Sequence, residues 1–261
     1  MSENTVFQKN LDTARQIIDS HTYPIITLDK NNVPDIIGSG IFLHVFRKVF
    51  LVTAAHVLRN INSNLFTKGQ KTLIELTGNP ILSKHTETDE IDIGFMQIKS
   101  EFVERNALNI ITYEKQITSV IIENPHSRAV SGFLASKNKQ AKSVNIKNKS
   151  VTSFCYTFFG HAESNLDYTT FNKNEKLHRH IEFGAGTDDK GRRITTPPWK
   201  PIGLSGGGMW LIPDIGKPTQ IFLEGIFISA KKQSKRMIGF STKLEEVFKF
   251  INFVTLKSNA L

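Results

Sequence analysis

Three residues of this chain could act together on an acyl group: a serine between glycines, a histidine that follows an apolar run, and an aspartate that leads into another. Ser205 stands in Gly203-Leu204-Ser205-Gly206-Gly207. Glycine lacks a Cβ and accepts positive φ, so a turn of this composition can push a serine oxygen outward. Neighbouring backbone N–H groups could then hold a developing oxyanion during acyl transfer. A serine nucleophile also needs a base, and the base needs an orienting partner. His56 follows Leu51-Val52-Thr53-Ala54-Ala55, a strand pattern ending in two small residues that permit close packing. Asp92 lies between isoleucines in Glu90-Ile91-Asp92-Ile93-Gly94-Phe95. A carboxylate drawn towards a core needs a partner, and an imidazole N–H is one. Asp89 is the alternative orienter, in more polar surroundings; Asp92 could instead cap backbone N–H groups at the strand entry.

The order of these residues separates the scaffolds. Gly-x-Ser-x-Gly also marks the nucleophile elbow of α/β-hydrolases, in which the histidine comes last. The last histidine here is His180, so that order fails. An order of acid, histidine, serine would need Asp29 or Asp35, and neither has a suitable setting. His56, Asp92, Ser205 is the order that remains. His178 and His180 would share one face of a strand and could begin a zinc site. No cysteine pair or carboxylate set completes it, so no metal and no cofactor are expected. Cys155 reads as a small core residue, and His161 with Glu163 as a surface loop.

The elements that must position these residues are mostly short strands. Apolar patterning predicts strands over Tyr23–Leu28, Asp35–His44, Val49–Thr53, Thr72–Leu76 and Ile91–Ile98. A second set is predicted over Ser119–Ile122, Val151–Phe159, His178–Phe183, Gly207–Ile212 and Ile221–Ser229. Residues 46–48 read as a hairpin turn, and Ser100–Lys115 as a crossover between two halves. Amphipathic helices are predicted over Thr5–Asp19 and Leu244–Ile251. Many short strands between glycine-rich and polar loops predict barrels or a sandwich, not a parallel βαβ sheet.

Composition narrows the class. A chain of 261 residues, 39% hydrophobic and 22% charged, can bury a sizeable core, and 19 phenylalanines predict an aromatic one. One cysteine excludes the disulfide framework usual in secreted proteins of this kind. Glu3, Asp12 and Asp19 interrupt any apolar leader, and no long apolar run suggests a membrane span, so a cytoplasmic location is expected. Lys and Arg number 33 against 24 acidic residues, a net charge of +9. Such a surface could attract nucleic acid, acidic proteins or anionic lipid. No zinc-finger, RNP or basic-helix pattern accompanies it, so it reads as solvated lysine-rich loops at Lys137–Lys149 and Lys231–Arg236. Neither nucleic acid nor membrane is expected as a partner.

With Gly38-Ser39-Gly40-Ile41-Phe42, Leu51 to His56, Asp92-Ile93-Gly94-Phe95 and Gly203 to Gly207 in this order, the chain resembles the trypsin-like (chymotrypsin-fold) serine peptidases in their compact, disulfide-free bacterial form. Leu223-Glu224-Gly225-Ile226 and Ile238 to Lys243 are similar to that family's later strands. The resemblance implies an all-β fold of two packed six-stranded antiparallel β-barrels with N-terminal and C-terminal helices. Residues 1–21 would be the first helix, 22–110 a barrel carrying His56 and Asp92, and 111–261 a barrel carrying Ser205 with the final helix. It implies a serine endopeptidase that cleaves protein or peptide substrates through a His56-Asp92-Ser205 triad and an acyl-enzyme. The N–H groups of Gly203 and Ser205 would form its oxyanion hole. By the same resemblance the substrate pocket would have its floor near Trp199 to Ile202 and walls from Ile228, Ser229 and Ala230, with Phe227 on the other face. Without an aspartate there, an apolar or small residue is expected before the cleaved bond.

One departure stands out. Leu204 occupies the position of the aspartate that, in trypsin, pairs with a freshly cleaved N-terminus. Packing or a partner must order the turn instead, and a regulatory protein docking on the Thr5–Asp19 helix or the lysine-rich loops is expected. The alternative is a catalytically silent binding module of the same fold in a bacterial stress or defence assembly.

Overall fold

The computed structural model describes residues 3–28, 30, 34–59, 61, 64–69, 72–84, 90–113, 127–138, 144–145, 150–151, 153–162, 165–183, 186–187, 193–194, 201–217, 219–233 and 236–258. The predicted strand over Ser119–Ile122 lies outside these residues, as do Asp89 and Trp199.

The first half contains β1 (Tyr23–Leu28), β2 (Pro34–Val45), β3 (Lys48–Ala54), β4 (Leu65–Lys68), β5 (Leu73–Leu76), β6 (Ile81–Leu82), β7 (Ile93–Ile98) and β8 (Ile111–Thr112). They run in the order β5-β4-β1-β2-β3-β7-β6, with β8 parallel to the end of β2. β2 bends between two partners: Pro34 to Gly40 pair with β1, and Ile41 to Val45 with β3. β3 is buried from Val49 to Ala54, which explains its unbroken apolar run. Phe46 and Arg47 both have positive φ, 50° and 62°. This is the two-residue turn whose twist matches a hairpin, made here without glycine.

The expected first barrel is therefore a half-barrel: among the described residues β5 and β6 do not pair. Four residues, Thr77-Gly78-Asn79-Pro80, separate them, and Pro80 has no N–H to give to a ladder. β6 is only two residues long.

A one-turn helix α2 (Ala55–Leu58) follows β3, and α3 (Ser100–Arg105) occupies the start of the expected crossover. The second half contains β9 (Ser127–Gly132), α4 (Ala135–Asn138), β10 (Val144–Asn145), β11 (Ser150–Val151), β12 (Tyr156–His161), β13 (His178–Phe183), β14 (Gly186–Thr187) and β15 (Arg193–Ile194). It ends with β16 (Gly208–Ile212), β17 (Phe222–Gln233) and β18 (Arg236–Lys243). Six of these strands close a barrel in the order β12-β13-β18-β17-β16-β9. The chain is thus mostly β, as expected, with Phe42, Phe95, Phe227 and Phe240 among its largest fully buried side chains.

Each terminal helix makes contacts across the two halves. α1 (Glu3–Ser20) precedes the first half yet seats on the second. Ala14 and Ile18, four apart on one stripe, are its buried side chains. Thr157 Oγ1 donates to Asp19 Oδ1 at 2.5 Å, and the Thr22 and Ser131 hydroxyls lie 2.6 Å apart. Ser131 Oγ also accepts from Trp210 Nε1 at 2.8 Å. α5 (Leu244–Ser258) follows the second half yet reaches the first. Phe248 stacks on Tyr113 with centroids 4.2 Å apart and touches Phe46, while Phe250 meets Phe95 edge-on. Among the described residues no helix is long and apolar enough to cross a membrane.

Burial raises the Asp19 carboxyl above its ordinary 3.8, against the lowering effect of hydrogen bonds from Thr157 and Cys155. The native state then holds this proton more tightly than the unfolded state. Stability therefore falls as pH rises from 3.8 through the higher native value, and stays lower above it. Asp19→Asn keeps an oxygen for Thr157 and sheds the charge. It is expected to match or exceed the wild-type thermal midpoint at neutral pH and to flatten the acid limb, which thermal unfolding at stepped pH checks.

Candidate active site

His56 and Asp92 meet at the end of β3. As β3 runs into α2, the Ala55 N–H donates to the Asp92 carbonyl at 2.9 Å. The His56 N–H donates to Asp92 Oδ1 at 3.0 Å, and Nδ1 of the ring lies 2.6 Å from Oδ2. One carboxylate thus fixes both the backbone and the ring of the histidine. A proton on Nδ1 leaves Nε2 as the acceptor. The His56 side chain is 43% exposed and that of Asp92 17%, so the imidazole is open to solvent and the carboxylate is largely covered.

Asp92 itself has φ 45°, in the left-handed region that costs energy for a residue with a Cβ. The sequence placed it inside a strand from Ile91; the strand begins only at Ile93. The loop that holds this conformation is tied at successive carbonyls. His178 Nε2 donates to Glu90 O at 2.7 Å, Thr242 Oγ1 donates to Ile91 O at 2.5 Å, and the Ser83 N–H donates to Ile93 O at 2.8 Å. His178 Nδ1 lies 3.1 Å from the Asn174 N–H and 2.9 Å from the Asn174 carbonyl oxygen. Burial holds the His178 pKa below its ordinary 6.5. Its expected face-sharing neighbour His180 turns Nδ1 to the Tyr168 hydroxyl at 2.7 Å.

Ser205 occupies a tight turn between two positive-φ glycines, Gly203 at 96° and Gly206 at 87°. A Cβ on Gly206 would collide with Thr53 Oγ1 and Ser39 O, and one on Gly203 with Phe133 O. Both glycines are therefore required by conformation and by space. The Leu204 N–H donates to Pro201 O, Gly207 N–H to Leu204 O, and Gly206 N–H to Phe227 O. Among the described residues neither the Gly203 nor the Ser205 N–H donates to a protein acceptor. Leu204 is fully buried, in a cluster with Val130, Leu134, Ile181, Phe183, Met209 and Phe227. This apolar packing backs the turn.

The turn abuts the histidine-bearing helix through Gly38. A Cβ there would lie 2.5 Å from Val57, the residue after His56, and 3.1 Å from Ser205 O. Among the described residues no hydrogen bond joins Ser205 Oγ to His56. Of the expected pocket residues, Ile202 is 60% exposed and Ile228 is buried in the main core. Ser229 is half-buried with no partner for its hydroxyl oxygen among the described residues, and Ala230 packs beside the Leu204 cluster. Ser39, Thr53 and His178 were not assigned to the site from sequence. A serine between two glycines in an apolar strand was the signal for the first of them.

No protein-family model and no curated protein matches the chain. Solved structures of similar chain path are serine proteases. The Rv3671c protease from M. tuberculosis, in its active form, matches with a TM-score of 0.49 and 11% identity over 90% of this chain and 80% of that one. The serine protease domain of the Sesbania mosaic virus polyprotein matches with a TM-score of 0.48 and 10% identity, over 87% and 91%.

Two outcomes are expected. Leu204→Ala leaves a cavity behind the turn and should cost about 2–5 kcal/mol in denaturant unfolding. For His178 the native pKa is depressed, so the unfolded state takes up the proton first as pH falls. Stability should be lost as pH falls through 6.5 towards the lower native value. His178→Gln should flatten that loss in thermal unfolding.

Proposed function

We propose that this chain is a serine endopeptidase. The observation that carries the reading is the 2.6 Å His56–Asp92 pair, opening beside a serine held in a turn of two positive-φ glycines. In the reaction, Ser205 Oγ attacks a peptide carbonyl and His56 Nε2 takes its proton. The N–H groups of Gly203 and Ser205, which have no acceptor among the described residues, receive the oxyanion. His56 then gives the proton to the leaving amine, and water releases the acyl group from Ser205 by the same steps. Contacts between base and nucleophile are commonly longer before substrate binds, which accommodates the absence of a His56–Ser205 hydrogen bond.

The division of labour follows the two halves, with His56 and Asp92 from residues 22–110 and Ser205 from 111–261. Leu204, packed and not paired, supports a turn that forms without cleavage at the N-terminus. Control then falls to a protein partner over the exposed parts of α1, where Val6 and Phe7 face solvent. One cysteine and no disulfide suit a reducing, cytoplasmic setting.

A fluorophosphonate probe is expected to label Ser205, and Ser205→Ala to abolish the labelling. Asp92→Asn should lower the labelling rate by roughly 10⁴ with the fold intact. Folded wild-type protein that takes no label under any condition would leave the binding-module alternative in its place.

A further inference from the structure

We propose that Ser39 is a positioning residue whose hydroxyl holds the nucleophile turn in its working shape, aiming the Gly203 and Ser205 N–H groups into the cleft. The inference rests on the peptidase reading above. Ser39 is fully buried in β2 and uses every polar group it has. Its N–H donates to Ser205 O at 2.8 Å, and its carbonyl accepts from Thr53 Oγ1 at 2.7 Å. Its hydroxyl donates to Gly203 O at 2.7 Å and accepts from the Phe133 N–H at 2.9 Å.

The hydroxyl matters because of peptide planarity. In a trans peptide the C=O and the N–H point to opposite sides, so whatever binds one aims the other. Ile202 O accepts from the Ala135 N–H at 3.0 Å, which turns the Gly203 N–H away from Ala135. Leu204 O accepts from the Gly207 N–H at 2.9 Å, which aims the Ser205 N–H the opposite way from Gly207. Between these two lies the Gly203–Leu204 peptide, and Ser39 Oγ binds its carbonyl. Glycine crosses between backbone wells at little cost, so the residue that lets this turn form also lets it flip. A pin on the middle peptide holds its two neighbours. The same hydroxyl takes the Phe133 N–H, two residues before the Ala135 N–H that fixes Ile202 O, and so joins both restraints to β2.

Wild type, Ser39→Ala and Ser39→Thr are compared by the rate and final extent of fluorophosphonate labelling across pH, with thermal unfolding as a control. Ser39→Ala should label to completion, about 10- to 100-fold more slowly, with the midpoint of its pH profile unmoved, since the base is intact. Ser39→Thr keeps the hydroxyl and should retain the wild-type rate even where its added methyl lowers the thermal midpoint. An unchanged rate in Ser39→Ala, with only its stability reduced, overturns the proposal. If Ser39→Ala does not fold, Ser39→Cys decides, since its weak donor should give an intermediate rate and a wild-type rate overturns the proposal. Wild type that takes no label removes the peptidase reading and this inference with it. Equal labelling of wild type and Ser39→Ala removes this inference alone.

Discussion

The constraint on which the site depends is that a turn of glycines must not behave as one. Gly203 and Gly206 give Ser205 a backbone path that other residues cannot follow, and the same freedom would let the turn collapse. Each carbonyl from Pro201 to Ser205 therefore has an assigned donor: Leu204 N–H, Ala135 N–H, Ser39 Oγ, Gly207 N–H and Ser39 N–H in turn. Below them Leu204 fills the second barrel's smaller apolar cluster. Polar restraints set the direction of the turn and apolar packing sets its depth.

The histidine side follows the same logic with a charge. Asp92 sits in a left-handed conformation that its side chain alone would not select. It stays there because Glu90, Ile91, Asp92 and Ile93 all have carbonyl partners, three of them supplied by His178, Thr242 and Ala55. His178 and Thr242 belong to the second barrel, so that barrel holds the loop of a residue assigned to the first half. Elsewhere buried charge is likewise paired. Arg128 binds Glu224 through two nitrogens at 2.6 and 2.7 Å, and Arg179 approaches the same carboxylate at 3.2 Å. Bidentate, partly buried pairs of this kind satisfy both partners' hydrogen-bonding groups at once.

The His56–Asp92 contact and the glycine turn around Ser205 were legible in the sequence because each residue sits beside a strong local pattern. Leu51 to Ala54 must be a buried strand, isoleucines flank the aspartate, and glycines surround the serine. The backbone conformation at Asp92 was not legible. The αL twist at Asp92 depends on carbonyl partners up to 151 residues away, such as Thr242 against Ile91. The strand Ser127–Gly132 was not predicted, because its small residues Ser127, Ala129, Ser131 and Gly132 carry little apolar signal. That strand is nonetheless the barrel's link between β12 and β16. Closure of the first half was expected by resemblance, and Pro80 with a two-residue β6 leaves it open. The C-terminal helix runs seven residues beyond its expected end at Ile251, to Ser258, because Phe253 and Leu256 lie on its solvent face and break the apolar stripe.

The terminal helices give this chain the logic of a buckle. α1, ahead of the first half, grips the second, and α5, packed on β17 and β18, reaches back to the first through Phe248 and Phe250. A ribosome releases α1 before the barrel it seats on exists, so its buried stripe must wait through most of synthesis. The first half is thus fastened on this side only once Phe248 and Phe250 have left the ribosome. A chain cut before α5 would lose the ring contacts of those two residues with Phe46 and Phe95.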